Sequence, residues 1–192
     1  MSEVVFFLEE RSAKVMLEGL LPRLLPAGLR PRYLVFEGKQ DLDKQLVRRL
    51  RGYRVPDARF VVLRDKDASD CVELKRALSE KCAEAGRAGV LIRIVCHELE
   101  SWYLADLAAV GRGLQVRGLE KLQNKRPCMT PDLHPSPCRT LQKIAPSYQK
   151  VGGSRAIGPH LDPDNARSPS FAHFVSGLRR LVTDISEEGG NR

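Results

Sequence analysis

The sequence predicts an α/β fold, a Rossmann-like parallel sheet of about four strands flanked by helices. Two observations carry this reading, and a third limits what the fold binds. Short apolar runs rich in β-branched and aromatic residues alternate with amphipathic stretches through residues 1–110. The stretches between successive runs are long enough for helical crossovers, the connection that parallel strands require. No G-x-G-x-x-G follows the first run and no G-x-x-x-x-G-K-[S/T] occurs, so dinucleotide and P-loop binding find no support.

The first strand is Val4–Leu8. Ser12 is a good N-cap for a helix with Val15, Met16, Leu20 and Leu24 at helical spacing, cut or kinked near Pro22. Tyr33–Phe36 reads as a second strand, and Asp41 caps a helix with Leu42, Leu46 and Leu50 on one face. Arg59–Arg64 is a third strand whose continuous apolar centre suits burial on both faces. Ser69–Ala85 is an amphipathic helix, Val90–Cys96 a fourth strand, and Leu99–Val110 a helix that carries Trp102 on its apolar face.

Residues 111–166 break the pattern. Prolines from Pro127 to Pro159 cluster there with Gly152, Gly153 and Gly158, and the expectation is turn-rich structure with one short helix at Arg139–Ile144. Ser168 and Pro169 then open a last helix with Phe171, Phe174, Val175, Leu178 and Leu181 on one stripe, fraying from Ser186 to Arg192. The expected organisation is an α/β core over residues 1–110, with a basic, Pro/Gly-rich extension and C-terminal helix over residues 111–192 packed on it.

The composition is that of an ordinary globular chain, with 42% hydrophobic and 29% charged residues among 192. No apolar run approaches the ~20 residues that span a bilayer. The N-terminus lacks a basic segment and is acidic early, unlike a signal peptide, so the expected compartment is the cytoplasm. Five cysteines without framework spacing suit reduced thiols. The net charge of +8 is uneven, since residues 1–110 carry 19 basic and 17 acidic side chains and residues 111–192 carry 13 and 7. A near-neutral half beside a basic half points to a catalytic core next to a surface for a polyanion.

Carboxylates stand just past three of the strands: Glu9 and Glu10 after the first, Asp65 and Asp67 after the third, Glu98 and Glu100 after the fourth. In an open parallel sheet, functional groups gather at the carboxyl ends of the strands. In extended chain, residues i and i+2 point the same way, so Asp65 and Asp67 can reach one site together, as can Glu98 and Glu100 if the chain is still extended there. Crowded carboxylates repel unless a cation neutralises them, and Mg²⁺ (or Mn²⁺) suits such a set. Bland roles exist for each. Asp65 or Asp67 can cap the next helix, although Ser69 and Asp70 already suffice; Glu10 can pair with Arg11 or Lys14; Glu100 can complement a helix dipole.

Strand–Glu followed by strand–Asp-x-Asp resembles the Toprim domain shared by topoisomerases, bacterial primases and overcoming-lysogenization-defect nucleases. The segments F-F-L-E-E-R-S, F-E-G-K-Q-D-L, V-V-L-R-D-K-D-A-S-D-C, H-E-L-E-S-W-Y-L-A-D, Y-Q-K-V-G-G-S-R and S-F-x-x-F-V-x-G-L-R-R-L resemble more closely an uncharacterised Toprim-like family, whose members are often found beside ATPases in bacterial defence clusters. The likeness covers nearly the whole chain. It implies a Toprim-like fold and a Mg²⁺-dependent nuclease acting on DNA or RNA, with an ATPase as a possible partner protein. It implies that Glu9 is the general acid/base and that Asp65 and Asp67 bind metal, with catalytic or supporting roles for Glu98 and Glu100. Many Toprim domains have Gly after the first glutamate and this chain has Glu10, so either Glu9 or Glu10 can face the metal. Topoisomerases and primases use further domains, so those activities are not expected.

In the basic half, Lys150-Val-Gly-Gly-Ser-Arg155 could wrap a phosphate, with Lys150, Ser154, Arg155 and the nearby Arg167 as the nucleic-acid-binding set. A tight turn with solvated ends fits the same residues. Cys128, His134 and Cys138 lack a close cysteine pair and a fourth ligand for zinc. A phospho-receiver with Asp65 as acceptor would need Ser or Thr at the end of strand four and Lys after a fifth strand; Cys96-His97 stands at the first place and no clear fifth parallel strand follows. The expected function is phosphodiester hydrolysis. The alternative is a non-catalytic nucleic-acid-binding or regulatory partner of an ATPase.

Overall fold

The computed structural model describes residues 3–190, with side chains through residue 188. Four strands, β1 (Glu3–Leu8), β2 (Arg30–Val35), β3 (Arg59–Asp65) and β4 (Leu91–Val95), form one parallel sheet in the order β2-β1-β3-β4. Composition sorts them. V-V-F-F-L of β1 and F-V-V-L of β3 are buried throughout and lie in the centre, whereas R-P-R of β2 and Leu-Ile-Arg-Ile-Val of β4 carry charge at the two edges. This is the α/β sheet that the sequence predicts.

Three helices make the crossovers: α1 (Arg11–Leu20), α2 (Lys39–Gly52) and α3 (Cys71–Glu84). From β1 the chain moves outward to β2, then returns past β1 to β3 and β4. Right-handed crossovers therefore put α1 on one face and α2 and α3 on the other. On the second face Val5, Phe7, Phe60, Val62 and Ile92 pack with Leu42, Leu46, Leu50 and Leu78. On the first face Val4, Phe6, Leu8, Val61 and Leu63 pack with α1 and with residues from the second half of the chain, among them Leu141, Tyr148, Ile157, Phe171 and Phe174. The two directions of chain travel diverge between β1 and β3, the place in an open sheet where a crevice forms at the strand ends.

Several local expectations need correction. The helix expected over Leu99–Val110 is two helices, α4 (Glu100–Leu104) and α5 (Leu107–Leu114), separated where Asp106 caps α5 through the Ala109 amide at 2.9 Å. Pro22 cuts the first helix: α1 stops at Leu20 and a single 3₁₀ turn, Leu21–Arg23, follows. Asp41 lies in the first turn of α2 rather than at its cap, which is Gly38. Residues 111–166 hold more helix than expected, in α6 (Pro137–Ile144) and α7 (Lys150–Ile157). The last helix, α8, runs Pro169–Gly190, with the Ser168 hydroxyl accepting from the Phe171 amide; of the tail expected to fray, residues 191 and 192 lie outside the described residues.

Glycines explain how α1 and the segment around α7 approach so closely. A Cβ on Gly158 would stand 2.4 Å from the Met16 carbonyl oxygen, and one on Gly19 would meet the Pro159 ring. By contrast, a Cβ on Gly152 in α7 would meet nothing within 4 Å. Gly158→Ala is therefore expected to destabilise the fold by about 1–3 kcal/mol. Gly152→Ala should stabilise it by roughly 0.5–1 kcal/mol. Urea unfolding of both variants checks the pair, and equal midpoints would contradict this account of the packing.

Candidate functional site

Glu9 and Glu10 follow β1, and Asp65 ends β3, at the divergence point of the sheet. Side chains alternate along a strand, so neighbouring residues serve opposite faces. Arg64 continues the row of Phe60 and Val62 on the α2/α3 face, while Asp65 continues the row of Val61 and Leu63 on the α1/α7 face. The acidic edge divides accordingly into two linked clusters.

On the α2 side, Arg64 is 4% exposed and is the hub. Its Nη1 donates to Glu9 Oε2 at 2.8 Å and its Nη2 to Asp43 Oδ2 at 3.3 Å. Asp67 lies nearby at the surface, where Lys39 Nζ donates to it at 2.8 Å. On the α7 side, Lys150 Nζ donates to both oxygens of Glu10 at 2.8 and 2.9 Å. Glu100 is 1% exposed and accepts from the Tyr148 hydroxyl at 2.8 Å through Oε1, while its Oε2 is buried with no hydrogen-bond partner among the described residues. Glu9 joins the clusters, since its Oε2 also accepts from the Asp65 amide at 3.3 Å.

Asp65 is the one strand-end carboxylate of this group for which the described residues supply no side-chain hydrogen-bond donor. Burial holds its carboxyl well above the usual carboxylate range, and the charges of Glu9, Glu10 and Glu100 push the same way against Lys150. Burial also raises Glu9, against the lowering effect of Arg64, and raises Glu100 against Tyr148 and Lys150. For Lys150 burial acts downward, but the hydrogen bond to Glu10 and the charges of Glu10, Glu100 and Asp65 prevail and hold its ammonium above its ordinary value. The arrangement is a carboxylate-rich edge with an excess of proton affinity at Asp65.

The structure revises several predicted site residues. Asp65 and Asp67 do not point together, because Asp67 adopts a left-handed backbone (φ 51°) and the i, i+2 rule of extended chain no longer applies. His97 (φ 62°) similarly ends the extended stretch after β4, so Glu98 and Glu100 diverge. Glu98 accepts from the Cys138 amide at 2.9 Å, while Glu100 turns into the cluster. The helix cap on α3 is Asp70, which accepts from the Val72 and Glu73 amides, leaving Asp65 and Asp67 out of that role. Among the described residues, no three His, Cys, Asp or Glu side chains stand together as a ready metal-binding group.

The phosphate-wrapping loop expected at Lys150–Arg155 is a correction of another kind, since this segment is the helix α7. Its Gly153 faces the Tyr148 ring, where a Cβ would come within 2.3 Å, so the glycine admits the ring that reaches Glu100. Ser154 is fully buried and cannot meet a nucleic acid from that position. Lys150 is engaged by Glu10, whereas Arg155 and Arg167 are exposed. Trp102 is core, as expected, with Nε1 donating to Ser170 Oγ at 2.9 Å. Sequence reasoning missed Arg64, Lys39 and Tyr148 as partners of the acids, and Asp43 as the second carboxylate on Arg64; the signal for Arg64 was a charge directly after the apolar run of the central strand.

Comparison with known proteins agrees with this geometry at the level of fold. The family described as "Domain of unknown function (DUF4276)" matches residues 8–179. Among solved structures, the C-terminal region of the Burkholderia pseudomallei OLD protein matches with a TM-score of 0.51 and 14% identity, covering 93% of this chain and 98% of that one. The fold is thus Toprim-like, the class that the strand–Glu and strand–Asp-x-Asp pattern resembles. No curated protein matches the sequence.

The raised carboxyls set a pH dependence. Asp65 binds its proton more tightly in the folded chain than in the unfolded one. Its favourable contribution is therefore complete below the ordinary carboxylate range and is lost as pH rises through the raised folded value. Without divalent cations, the melting temperature of the wild type minus that of Asp65→Asn should fall as pH increases from about 4 to about 7. A difference that stays flat or grows would contradict the placement of Asp65 among unneutralised acids.

Proposed function

We propose that this chain, which belongs to the DUF4276 family, is a Toprim-type nuclease that hydrolyses phosphodiester bonds of DNA or RNA with Mg²⁺ or Mn²⁺. The observation that carries the reading is the gathering of Glu9, Glu10, Asp65 and Glu100 at the divergence point of the sheet, where among the described residues no side chain donates to the Asp65 carboxylate and one oxygen of Glu100 has no partner. Carboxylates in this state suit a divalent cation, which would relieve repulsion that the fold itself leaves partly uncompensated. Asp65 and Glu9 would hold the metal, with Asp67 reaching it from the loop after release from Lys39. When bound, Mg²⁺ supplies an activated water and charge stabilisation for the leaving oxygen.

The chain's own residues would divide the remaining work. Glu9 is raised above the ordinary glutamate value and held in place by Arg64, which suits a carboxyl that exchanges a proton. Its contact with the Asp65 amide favours Glu9 over Glu10 for this role. Glu10 holds Lys150 at the edge, where its ammonium can meet a phosphate. Tyr148 fixes Glu100 behind them. Arg155 and Arg167 would supply exposed positive charge along the substrate. A place in a bacterial defence system beside an ATPase rests on family resemblance.

A second reading has its own support. Lys39–Asp67, Arg64–Glu9 and Lys150–Glu10 neutralise much of the cluster internally. A regulatory or nucleic-acid-binding partner of an ATPase could keep that closed network and never turn over.

The two readings separate in one series. In Mg²⁺ or Mn²⁺ the nuclease reading expects cleavage of DNA or RNA by the wild type and at least a ~100-fold loss in Asp65→Asn and Glu9→Gln. Calorimetry should show weaker metal binding by Asp65→Asn, with the fold intact by circular dichroism. Arg155→Glu/Arg167→Glu should reduce the salt dependence of nucleic-acid binding by about 1–2 units of log–log slope. Salt-dependent binding without any cleavage, unchanged in Asp65→Asn, would favour the regulatory partner.

A further inference from the structure

The two edges of the sheet are not alike. In the parallel ladder Leu8 accepts from the Phe36 amide, so Arg32, Leu34 and Phe36 turn their peptide groups toward β1, and Pro31, Tyr33 and Val35 turn theirs outward. Pro31 has no N–H, and Arg30 and Arg32 flank it. That edge is blocked in the manner usual for an exposed strand. At the other edge the Lys66 amide donates to the Val95 carbonyl at 2.8 Å. Leu91, Arg93 and Val95 therefore face β3, and Ile92, Ile94 and Cys96 turn their peptide groups outward. The Ile92 carbonyl is taken by Arg93 Nη1 and the Cys96 carbonyl by the Glu98 amide. The N–H groups of Ile92, Ile94 and Cys96 and the carbonyl of Ile94 have no hydrogen-bond partner among the described residues.

These free groups open onto a groove of about 1010 Å³ that runs along β4 between α3 and α8. Ile92, Ile94 and Cys96 line it, and Val72 and Leu133, exposed by 76% and 78%, stand in its walls. Its charged lining is one-sided. Lys66, Lys75, Arg76, Arg93 and Arg180 all line it, and none of them forms an ion pair among the described residues. The one carboxylate in the lining, Asp132, is occupied by the Ser168 hydroxyl and the Ser170 amide. The floor is held open from behind, because Arg93 Nε donates to the His173 carbonyl at 2.8 Å and its guanidinium fills the space a Cβ on Gly177 would take.

We propose that the open edge of β4 is a docking site for an extended acidic segment of a partner protein, which adds to the sheet as a fifth strand. Unpaired peptide groups would supply the main-chain hydrogen bonds of strand addition. The apolar walls would take alternate side chains, and the basic lining would take the acidic ones between them. The charge of the groove selects among occupants. A second copy of this chain offering its own β4 would bring two basic linings together, which disfavours that pairing. A nucleic-acid strand would satisfy the charge but would leave the peptide groups and the aliphatic walls unused.

The test uses the full chain and a fluorescent short peptide of alternating valine and glutamate, with three companions: its lysine counterpart, the same peptide N-methylated at alternate residues, and an oligothymidylate of similar length. Anisotropy should show the acidic peptide binding about tenfold or more tighter than the lysine and N-methylated peptides. Amide exchange at Ile94 should slow in its presence. Lys75→Glu/Arg76→Glu, two exposed positions on α3, should weaken it by about tenfold without changing the melting temperature appreciably. Loss of peptide binding by N-methylation together with protection of Ile94 supports strand addition. Absence of measurable binding by the acidic peptide overturns the proposal, as does binding indifferent to N-methylation or to the α3 variant. Protection of Ile94 by the oligothymidylate and not by the peptide would make the groove a nucleic-acid path instead.

Discussion

The repulsion among carboxylates at the carboxyl ends of β1 and β3 is the constraint around which the rest of this structure is arranged. A parallel sheet brings Glu9, Glu10 and Asp65 to one edge, and the fold must compensate or forfeit stability. It does so from three directions. Arg64 comes from the strand itself, Lys39 from the start of α2, and Lys150 from the start of α7. The compensation stops short at Asp65 and at one oxygen of Glu100. A buried acid kept in this state costs stability, and such costs collect where a site has work to do.

The second half of the chain has its meaning in relation to that edge. The turn after α7 packs closely on α1 through Gly158 and Gly19, and α7 itself presents Lys150 to Glu10, while Gly153 lets the Tyr148 ring lie close enough to reach Glu100. The same half contributes α8, which backs the β4 edge through Arg93 and Gly177. The basic excess of residues 111–192 is therefore put to mixed use. Lys150 compensates acids internally, and Arg155 and Arg167 face solvent.

Much of this was legible in the sequence, and the parts that were not share a cause. Strand positions, the central place of β3 and the gathering of acids at strand ends follow from periodicity and from the rule for open parallel sheets. The expectation that Asp65 and Asp67 point the same way rested on extended chain beyond the strand, and a left-handed Asp67 ends the extended chain after one residue. The segment Lys150–Arg155 failed because two adjacent glycines signal a turn on local grounds, whereas here Gly153 makes room for an aromatic ring and the flanking residues are helical. In both places the outcome depended on contacts with residues far along the chain, which local pattern does not record. Arg64 belongs to the same group: its charge was visible, its carboxylate partners were not.

On the function proposed, the edge around Asp65 would be a cation site held partly closed by lysines. Anomalous diffraction from crystals soaked in Mn²⁺ tests it most directly. A peak is expected at coordination distance from Asp65 and Glu9, with the Lys39–Asp67 pair or the Lys150–Glu10 pair opened. A map with both pairs intact and no peak at Asp65, or with the metal bound elsewhere on the molecule, would contradict it.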